Sequence, residues 1–345
     1  MKNSSNDVLR RVKQLAKPEL HRHIEGCVRT GSIIEIARRR GIRIPTEDAA
    51  GLDKIYKLRA RGQSLDKVLE MFELARSCFY SYDEVERLAY EAAEDAYFNE
   101  NIRLLELRYS PDFMLGPRGL DWQKSFDVID SALRGFEKRH NMVCGIILIC
   151  SRGLGPESAL KTAGFAAANK KRIIGFDFAD GEKDNPPEKF AAAAAAVRRE
   201  GISLTVHSGE DDGPEGVRGA VEIMKPSRIG HGVRAAEDAT GETMRILKKA
   251  GITLETNPWS NYLTTAVESV EKHPLGLFIR SGLSCSIGAD DPAILDTDLN
   301  REYLLAVEKI GLSFEDIDYC RRCAVEASFL PDDKKQQALA ELGFI

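Results

Sequence analysis

The stretch "MVCGIILICSR" (residues 142–152) is an apolar run that ends in polar residues. A short run rich in Val, Ile and Leu is typical of a strand that is buried on both faces, as in a parallel sheet. Seven further runs of this kind are "PELHRHIEG" (18–26), "NIRLLELRYS" (101–110), "RIIGFDFAD" (172–180), "ISLTVHSGE" (202–210), "SRIGHGV" (227–233), "GITLETNP" (251–258) and "GLSCSIGADDP" (282–292). The sequence therefore predicts eight strands.

Helical patterns separate many of these strands, for example at residues 82–99, 125–140, 188–201 and 241–251. Several of them end in glycine just before the next strand, as helix C-termini often do. Eight strands alternating with helices predict an α/β fold, a (β/α)8 TIM barrel. The helical region at about 31–99 is longer than one crossover helix, so we expect extra helices inserted after the first strand. Without repeats or linkers, residues 1–345 are expected to form a single domain.

The composition is that of an ordinary globular protein, with 43% hydrophobic and 30% charged residues and a formal net charge of −5 over 345 residues. This charge gives no reason to expect nucleic-acid or anionic-membrane partners. No apolar run is long enough to span a bilayer, and the first segment, "MKNSSNDVLRRVKQLAK" (1–17), has no hydrophobic core of a secretion signal. Seven scattered cysteines argue against a disulfide framework, and Cys320 and Cys323 are expected to pack within a helix. We therefore expect a cytoplasmic protein.

Four of the six histidines and an aspartate pair fall at strand ends. They are His21 and His23 on the first strand, His207 on the fifth, His231 on the sixth, and Asp290 with Asp291 on the eighth. Residues i and i+2 of a strand point the same way, and the C-terminal ends of barrel strands meet at one mouth. We therefore expect these side chains to face a common point. The other two histidines, His140 and His273, fall outside the strands and are expected to be exposed.

Each of these motifs also has a structural explanation, since a strand-end histidine can be a hydrogen-bonded rim residue and an aspartate can cap a helix. Their placement at the same end of successive strands favours a metal site. Three imidazoles and one carboxylate suit zinc with an open position for water, and other divalent first-row metals remain alternatives. The fourth strand has no lysine at its C-terminal end to bridge two metals. We expect one zinc ion per chain.

Two further residues are candidates for the chemistry. A zinc ion lowers the pKa of its water from about 15.7 to about 7, which makes hydroxide available at neutral pH. His231, the fourth histidine, could hold that hydroxide and take its proton. Glu210 follows His207 by three residues and could protonate the atom opposite if burial raises its pKa.

With these residues in place, the chain resembles the adenosine deaminase family of metal-dependent barrel hydrolases. The resemblance lies in the motifs "ELHRHIEG", "HSGE", "RIGHGV", "NPWSNYLTTAV" and "HPLGLFIRSGLSCSIGADDP", which cover nearly the whole barrel. It implies that zinc is ligated by His21, His23, His207 and Asp290. It also implies that Glu210 protonates N1 of a purine while hydroxide attacks C6, that His231 orients the attacking water, and that ammonia then leaves. Asp291 would hydrogen-bond N7.

Three positions depart from the family pattern. Glu25 stands where the family has a ribose-contacting aspartate, and one extra methylene changes which hydroxyl the carboxylate reaches. In "DFADGE", Asp180 stands where the family commonly has a glycine whose N–H meets N3 of the purine, and Gly181 follows one residue later. Ala289 replaces a common threonine. The first two positions concern substrate recognition. The sequence therefore supports the deamination reaction more strongly than it supports adenosine as the substrate.

The sequence is compatible with several related functions. The expected partner is a small purine nucleoside or base, with adenosine or a close relative first. Alternatives are a 5′-modified adenosine of the aminodeoxyfutalosine or thioether type, free adenine, or an adenine nucleotide, although carboxylates at Glu25 and Asp180 would repel a 5′-phosphate. A two-metal hydrolase would need the missing lysine. A non-catalytic, ligand-binding relative should have lost part of the site, which this chain retains.

Overall fold

The computed structural model describes residues 5–63 and 65–345. Its eight strands are parallel and pair in chain order within one sheet. They are β1 (Lys17–His23), β2 (Ile102–Tyr109), β3 (Val143–Ser151), β4 (Gly175–Ala179), β5 (Ser203–Ser208), β6 (Arg228–His231), β7 (Thr253–Thr256) and β8 (Ser284–Ile287). Nearly every strand residue is buried, as the continuous apolar runs predict.

The sheet closes between β1 and the residues that follow β8. The N–H of Asp290 donates to the carbonyl of His21, and the N–H of His23 donates to the carbonyl of Asp290, both at 3.0 Å. Arg22 and Asp290 thereby form a parallel bridge. The predicted (β/α)8 barrel is confirmed, and its closure itself places Asp290 beside the two histidines of β1.

Helices surround the barrel throughout the described part of the chain. They are α1 (Ser5–Gln14), α2 (Thr30–Arg40), α3 (Ala49–Tyr56), α4 (Leu65–Ser77), α5 (Tyr82–Phe98), α6 (Pro111–Leu115), α7 (Trp122–Glu137), α8 (Gly155–Ala168), α9 (Ala191–Arg199), α10 (Pro214–Gly219), α11 (Glu242–Ala250), α12 (Pro258–Leu263), α13 (Leu275–Arg280), α14 (Leu299–Leu305), α15 (Phe314–Ala327) and α16 (Asp332–Glu341). Four of them, α2 to α5, lie between β1 and β2, where a barrel needs only one crossover helix. The predicted extra helices after the first strand are confirmed.

The inside of the barrel is charged as well as apolar. Arg228 donates to Glu106 at 2.7 Å and approaches Glu255 at 2.6 Å, and all three side chains are fully buried. Arg108 reaches the same Glu255 at 2.7 Å. Removing one partner of such a network leaves an uncompensated buried charge, which is strongly destabilising. These ion pairs fix the strands directly beneath the predicted site.

The remaining sequence features are structural. The alanine-rich run forms α9, as helix propensity predicts. All seven cysteines are free and buried, with Cys320 and Cys323 on α15. Among the described residues, no helix is both long enough and apolar enough to cross a membrane.

Candidate metal and catalytic site

Four side chains at the C-terminal mouth of the barrel form a group that could hold a metal ion. We call them the metal quartet: His21, His23, His207 and Asp290. Their ligand atoms all lie within 4.8 Å of one another. The Nε2 atoms of His21 and His23 lie 3.4 Å and 3.3 Å from the same Asp290 oxygen. The two imidazoles of "HRH" therefore do point at one place, as the strand geometry predicts.

The electrostatics of the metal quartet suit a cation. Nε2 of His21 is buried and has no hydrogen-bond partner among the described residues, although such an atom normally needs one. Burial lowers the pKa of His23 well below its usual value, so its ring stays neutral, as a metal ligand must. Burial alone would raise the pKa of Asp290, but the adjacent ring of His21 holds it well below its usual range.

Two carboxylates that the sequence analysis did not select orient the histidines. Nδ1 of His21 lies 2.7 Å from Glu255, and Nδ1 of His207 lies 3.1 Å from Asp177. Arg108 donates to both carboxylates at 2.7 Å. A carboxylate on one ring nitrogen fixes the tautomer and leaves the other nitrogen free for a metal. The signal was present in the sequence, since Asp177 interrupts an otherwise apolar strand and Glu255 is the one ionisable residue of β7.

Glu210 and His231 face each other beside the metal quartet. Nε2 of His231 lies 3.4 Å from Glu210 and 4.0 Å from Asp290. His231 and Asp290 both adopt positive φ, at 64° and 62°, a conformation that is uncommon for residues other than glycine. Strain of this kind at the ends of two strands is typical of a functional site.

The loop that carries Glu210 is held by Glu182, a residue that the sequence analysis did not select. The carboxylate of Glu182 is buried and accepts three backbone N–H groups, from Gly209 at 2.6 Å, Glu210 at 2.9 Å and Asp211 at 3.1 Å. Arg234 donates to the carbonyl of Glu210 at 2.8 Å. These contacts determine where the Glu210 side chain begins.

Two predicted substrate contacts, Glu25 and Asp291, are buried carboxyl groups with an unused oxygen. Glu25 accepts the N–H of Ser110 at 2.8 Å through Oε1, while its Oε2 and Oδ1 of Asp291 have no hydrogen-bond partner among the described residues. Burial raises the pKa of Glu25 to about 7. Burial and then the charge of Asp290 raise the pKa of Asp291 well above its usual value. Each is therefore equipped to contact a polar ligand.

Comparison with known proteins places this arrangement in a family. The sequence model of the adenosine deaminase family matches residues 16–343. The chain belongs to the adenosine deaminase family. An adenosine deaminase of Vibrio cholerae is 31% identical over 323 residues, which cover 94% of this chain and 96% of that protein. The resemblance seen in the sequence is confirmed, and the chain is a hydrolytic aminohydrolase.

Solved structures of other deaminases are also similar to this chain. The N6-methyl-AMP deaminase of Arabidopsis thaliana has a TM-score of 0.83 and 25% identity, covering 97% of this chain and 98% of that one. The adenine deaminase of Arthrobacter aurescens has a TM-score of 0.87 at 24% identity, covering 95% of this chain and 98% of that one. This second likeness shows the shared fold alone.

Asp180, which follows β4 and stands where the resemblance implies a glycine, adopts a left-handed conformation with φ of 77°. Glycine adopts this conformation freely, and aspartate is one of the few other residues that tolerate it. The Asp180 carboxylate accepts the hydroxyl of Ser151 at 2.7 Å and the N–H of Gly181 at 2.8 Å. The extra side chain is thus tied to the end of β3, and the Gly181 N–H already has an acceptor.

The expectation that His140 and His273 are exposed is wrong for His273. His273 is only 4% exposed and is hydrogen-bonded through both ring nitrogens, because its segment folds against α12 instead of lying in a surface loop. His140 is half-buried, and its ring packs against Tyr97 and Phe136. Sequence position outside a strand did not determine burial for either residue.

Proposed function

We propose that this protein is a zinc-dependent deaminase of an adenine-type nucleoside, converting adenosine or a close relative to the inosine-type product and ammonia. The observation that carries the proposal is that the metal quartet, Glu210 and His231 converge on one barrel mouth. Membership of the adenosine deaminase family and the names of the relatives support an adenine-type ring.

The metal quartet would hold one zinc ion per chain. Three neutral imidazoles and one carboxylate form a donor set that suits zinc with an open position, and other first-row divalent metals accept the same ligands. A zinc ion bound there would lower the pKa of a bound water to about 7 and supply hydroxide at neutral pH. Glu255 and Asp177 would keep His21 and His207 in the ligating tautomer.

Glu210 would supply the proton for the substrate. Attack at C6 of an adenine ring places negative charge on N1, so a proton delivered there stabilises the transition state more than the ground state. His231 would orient the attacking water through Nε2, the ring nitrogen that faces Glu210 and Asp290. Glu182 would keep Glu210 at the required distance by holding its backbone.

Asp291 would contact N7 of the purine and Glu25 would contact the ribose side. Gly181 would contact N3 by exchanging its present acceptor, the Asp180 carboxylate, for the purine nitrogen. The second candidate substrate is a 5′-modified adenosine, which the longer carboxyl group of Glu25, buried with a free oxygen, favours. A nucleotide is disfavoured because the carboxylate of Asp180, and that of Glu25 when it is ionised, would repel a phosphate. The seven free, buried cysteines support a reducing compartment such as the cytoplasm.

The test is turnover of the zinc-loaded protein on adenosine, 2′-deoxyadenosine, adenine, a 5′-thioether adenosine, aminodeoxyfutalosine and AMP, followed by ammonia release. Asp290→Ala serves as the control that should lose both zinc and activity. Fast turnover of adenosine or of a 5′-modified nucleoside supports the proposal and decides between the two substrates. No ammonia release from any of the adenine compounds would overturn the proposal. Two zinc ions per chain would point instead to a two-metal hydrolase.

A further inference from the structure

A chain of buried polar groups runs from the backbone of α13 to the catalytic face of His231. The N–H of Leu275 donates to Nδ1 of His273 at 3.2 Å, and Nε2 of His273 lies 3.1 Å from Oδ1 of Asn261. The amide nitrogen of Asn261 lies 2.9 Å from Nδ1 of His231. His273, Asn261 and His231 are 4%, 0% and 1% exposed, so bulk water cannot substitute for any of these partners.

The direction of each hydrogen bond in this series of polar groups follows from one fixed donor, the backbone N–H of Leu275. A backbone N–H can only donate, so Nδ1 of His273 must accept, and the ring proton must lie on Nε2. Oδ1 of Asn261 must then face His273, and its NH2 group must face His231. Burial, and after it the nearness of His231, lowers the pKa of His273 to about 3, which keeps the His273 ring neutral and in this single tautomer.

The same logic fixes the tautomer of His231. Its Nδ1 accepts from Asn261 and, at 3.2 Å, from Asn257, whose NH2 group is oriented by a second bond to the carbonyl of Glu255. A ring nitrogen that accepts carries no proton, so the proton of neutral His231 lies on Nε2. Nε2 is the atom that faces Glu210 and Asp290.

We propose that His273 is a positioning residue for the reaction, which through Asn261 holds His231 in the tautomer with its proton on Nε2. An Nε2–H donates a hydrogen bond to an oxygen at the mouth of the barrel, whereas the other tautomer would present a lone pair there and repel it. The inference rests on the proposed function only for the role of His231 in catalysis; the tautomer itself does not depend on the substrate.

Two substitutions of His273 separate positioning from packing. His273→Gln can place an amide N–H near the position of Nε2 and so keeps the donor to Asn261. His273→Asn is shorter, keeps an acceptor for the Leu275 N–H, and loses the donor. Asn261→Asp is a third variant of nearly native shape, which turns the group facing Nδ1 of His231 into an acceptor and favours the opposite tautomer.

The first measurement is ¹⁵N NMR of the histidine rings in zinc-loaded protein, with the His231 signals identified by their loss in His231→Gln. We expect the Nε2–H pattern in the wild type and in His273→Gln, a mixture of the two tautomers in His273→Asn, where Asn257 still donates to Nδ1, and Nδ1–H character in Asn261→Asp. We also expect kcat to fall about tenfold in His273→Asn, with KM and zinc content little changed, and to stay within about threefold of wild type in His273→Gln.

An unchanged His231 pattern in both His273→Asn and Asn261→Asp would overturn the proposal, and so would equal loss of kcat in His273→Gln and His273→Asn. Failure of the proposed function has a different signature. The wild-type protein would then be inactive on all adenine compounds, while the NMR result on the tautomer would still stand or fall by itself.

Discussion

Oε2 of Glu255 lies 2.7 Å from Nδ1 of His21, on the side of the ring opposite the nitrogen that faces Asp290. Two buried arginines, Arg108 and Arg228, hold the same carboxylate at 2.7 Å and 2.6 Å. These charges, against the cost of burial, hold the pKa of Glu255 well below its usual range. The barrel interior and the metal quartet therefore share one anion.

We predict that Glu255→Gln weakens zinc binding by about 10- to 100-fold, because the amide no longer anchors His21 as an anion does. The variant should also lose up to about 3–5 kcal/mol of stability, since two buried arginines each lose one of their two carboxylate partners. Competition with a chelator measures the first effect, and urea unfolding the second. Thr205→Val is the control, as it removes only a hydroxyl donor to the same carboxylate. Wild-type zinc affinity in Glu255→Gln would contradict the role given to this contact.

Glu210→Gln should leave the zinc content unchanged and lower kcat by about 10²- to 10⁴-fold, the usual contribution of a positioned general acid. The physical reason is that an amide of the same shape has no proton to give to the ring nitrogen. Steady-state kinetics with metal analysis on the same samples measure both quantities. Asp211→Asn is the matched control, because it neutralises the next carboxylate in the loop. Turnover that survives Glu210→Gln would remove Glu210 from the acid role.

Glu182→Gln tests whether the loop is held as the structure indicates. A glutamine has one acceptor oxygen and an NH2 group, so at least one of the three N–H groups from Gly209, Glu210 and Asp211 would face a donor. We expect a loss of about 1–3 kcal/mol in stability. We also expect a lower kcat at normal zinc content, because Glu210 is displaced. Exposed Glu188→Gln is the control, and an unchanged kcat and Tm would show that the loop is positioned by other contacts.

Much of the fold and of the candidate site could be predicted from short-range patterns. Apolar runs such as 142–152 identify strands because parallel strands buried on both faces carry little polar surface. The spacing of His21 and His23 indicates a shared direction because strand side chains alternate with a period of two. Barrel topology then brings His207 and Asp290 to the same mouth without any knowledge of side-chain contacts.

What could not be predicted depends on contacts between distant segments. In the sequence, nothing distinguishes Glu182 from the many other acidic residues. Its role follows only from its hydrogen bonds to the loop after β5. His273 lies in a polar stretch, and only the packing against Asn261 buries it. The restraint of Asp180 by Ser151 likewise depends on the ends of β3 and β4 being adjacent, and it redirects a side chain that sequence comparison would place toward the substrate.

The stability of the protein should depend on pH through Glu302, a buried carboxyl group away from the metal quartet. Burial raises the pKa of Glu302 to about 8, although it accepts the N–H of Trp259 and the hydroxyl of Thr297. Its usual pKa is 4.5, so the folded protein binds more protons than the unfolded chain between pH 4.5 and about 8. The stabilisation is therefore complete below pH 4.5 and is lost as the pH rises through about 8.

Glu302→Gln should remove this dependence, because an amide stays neutral at every pH. As the pH is raised from 5 to 8.5, the wild type should lose a few kcal/mol of unfolding free energy relative to Glu302→Gln. This size follows from the shift in the pKa of Glu302, at about 1.4 kcal/mol per pKa unit. Urea unfolding at several pH values measures it, and comparing variants cancels the groups that titrate in both. The unfolding free energy of the control Glu326→Gln, at an exposed position, should depend on pH as that of the wild type does. If the unfolding free energy of Glu302→Gln shows the same pH dependence as the wild type, the Glu302 carboxyl is already ionised in the folded protein and is stabilised by its hydrogen-bond donors.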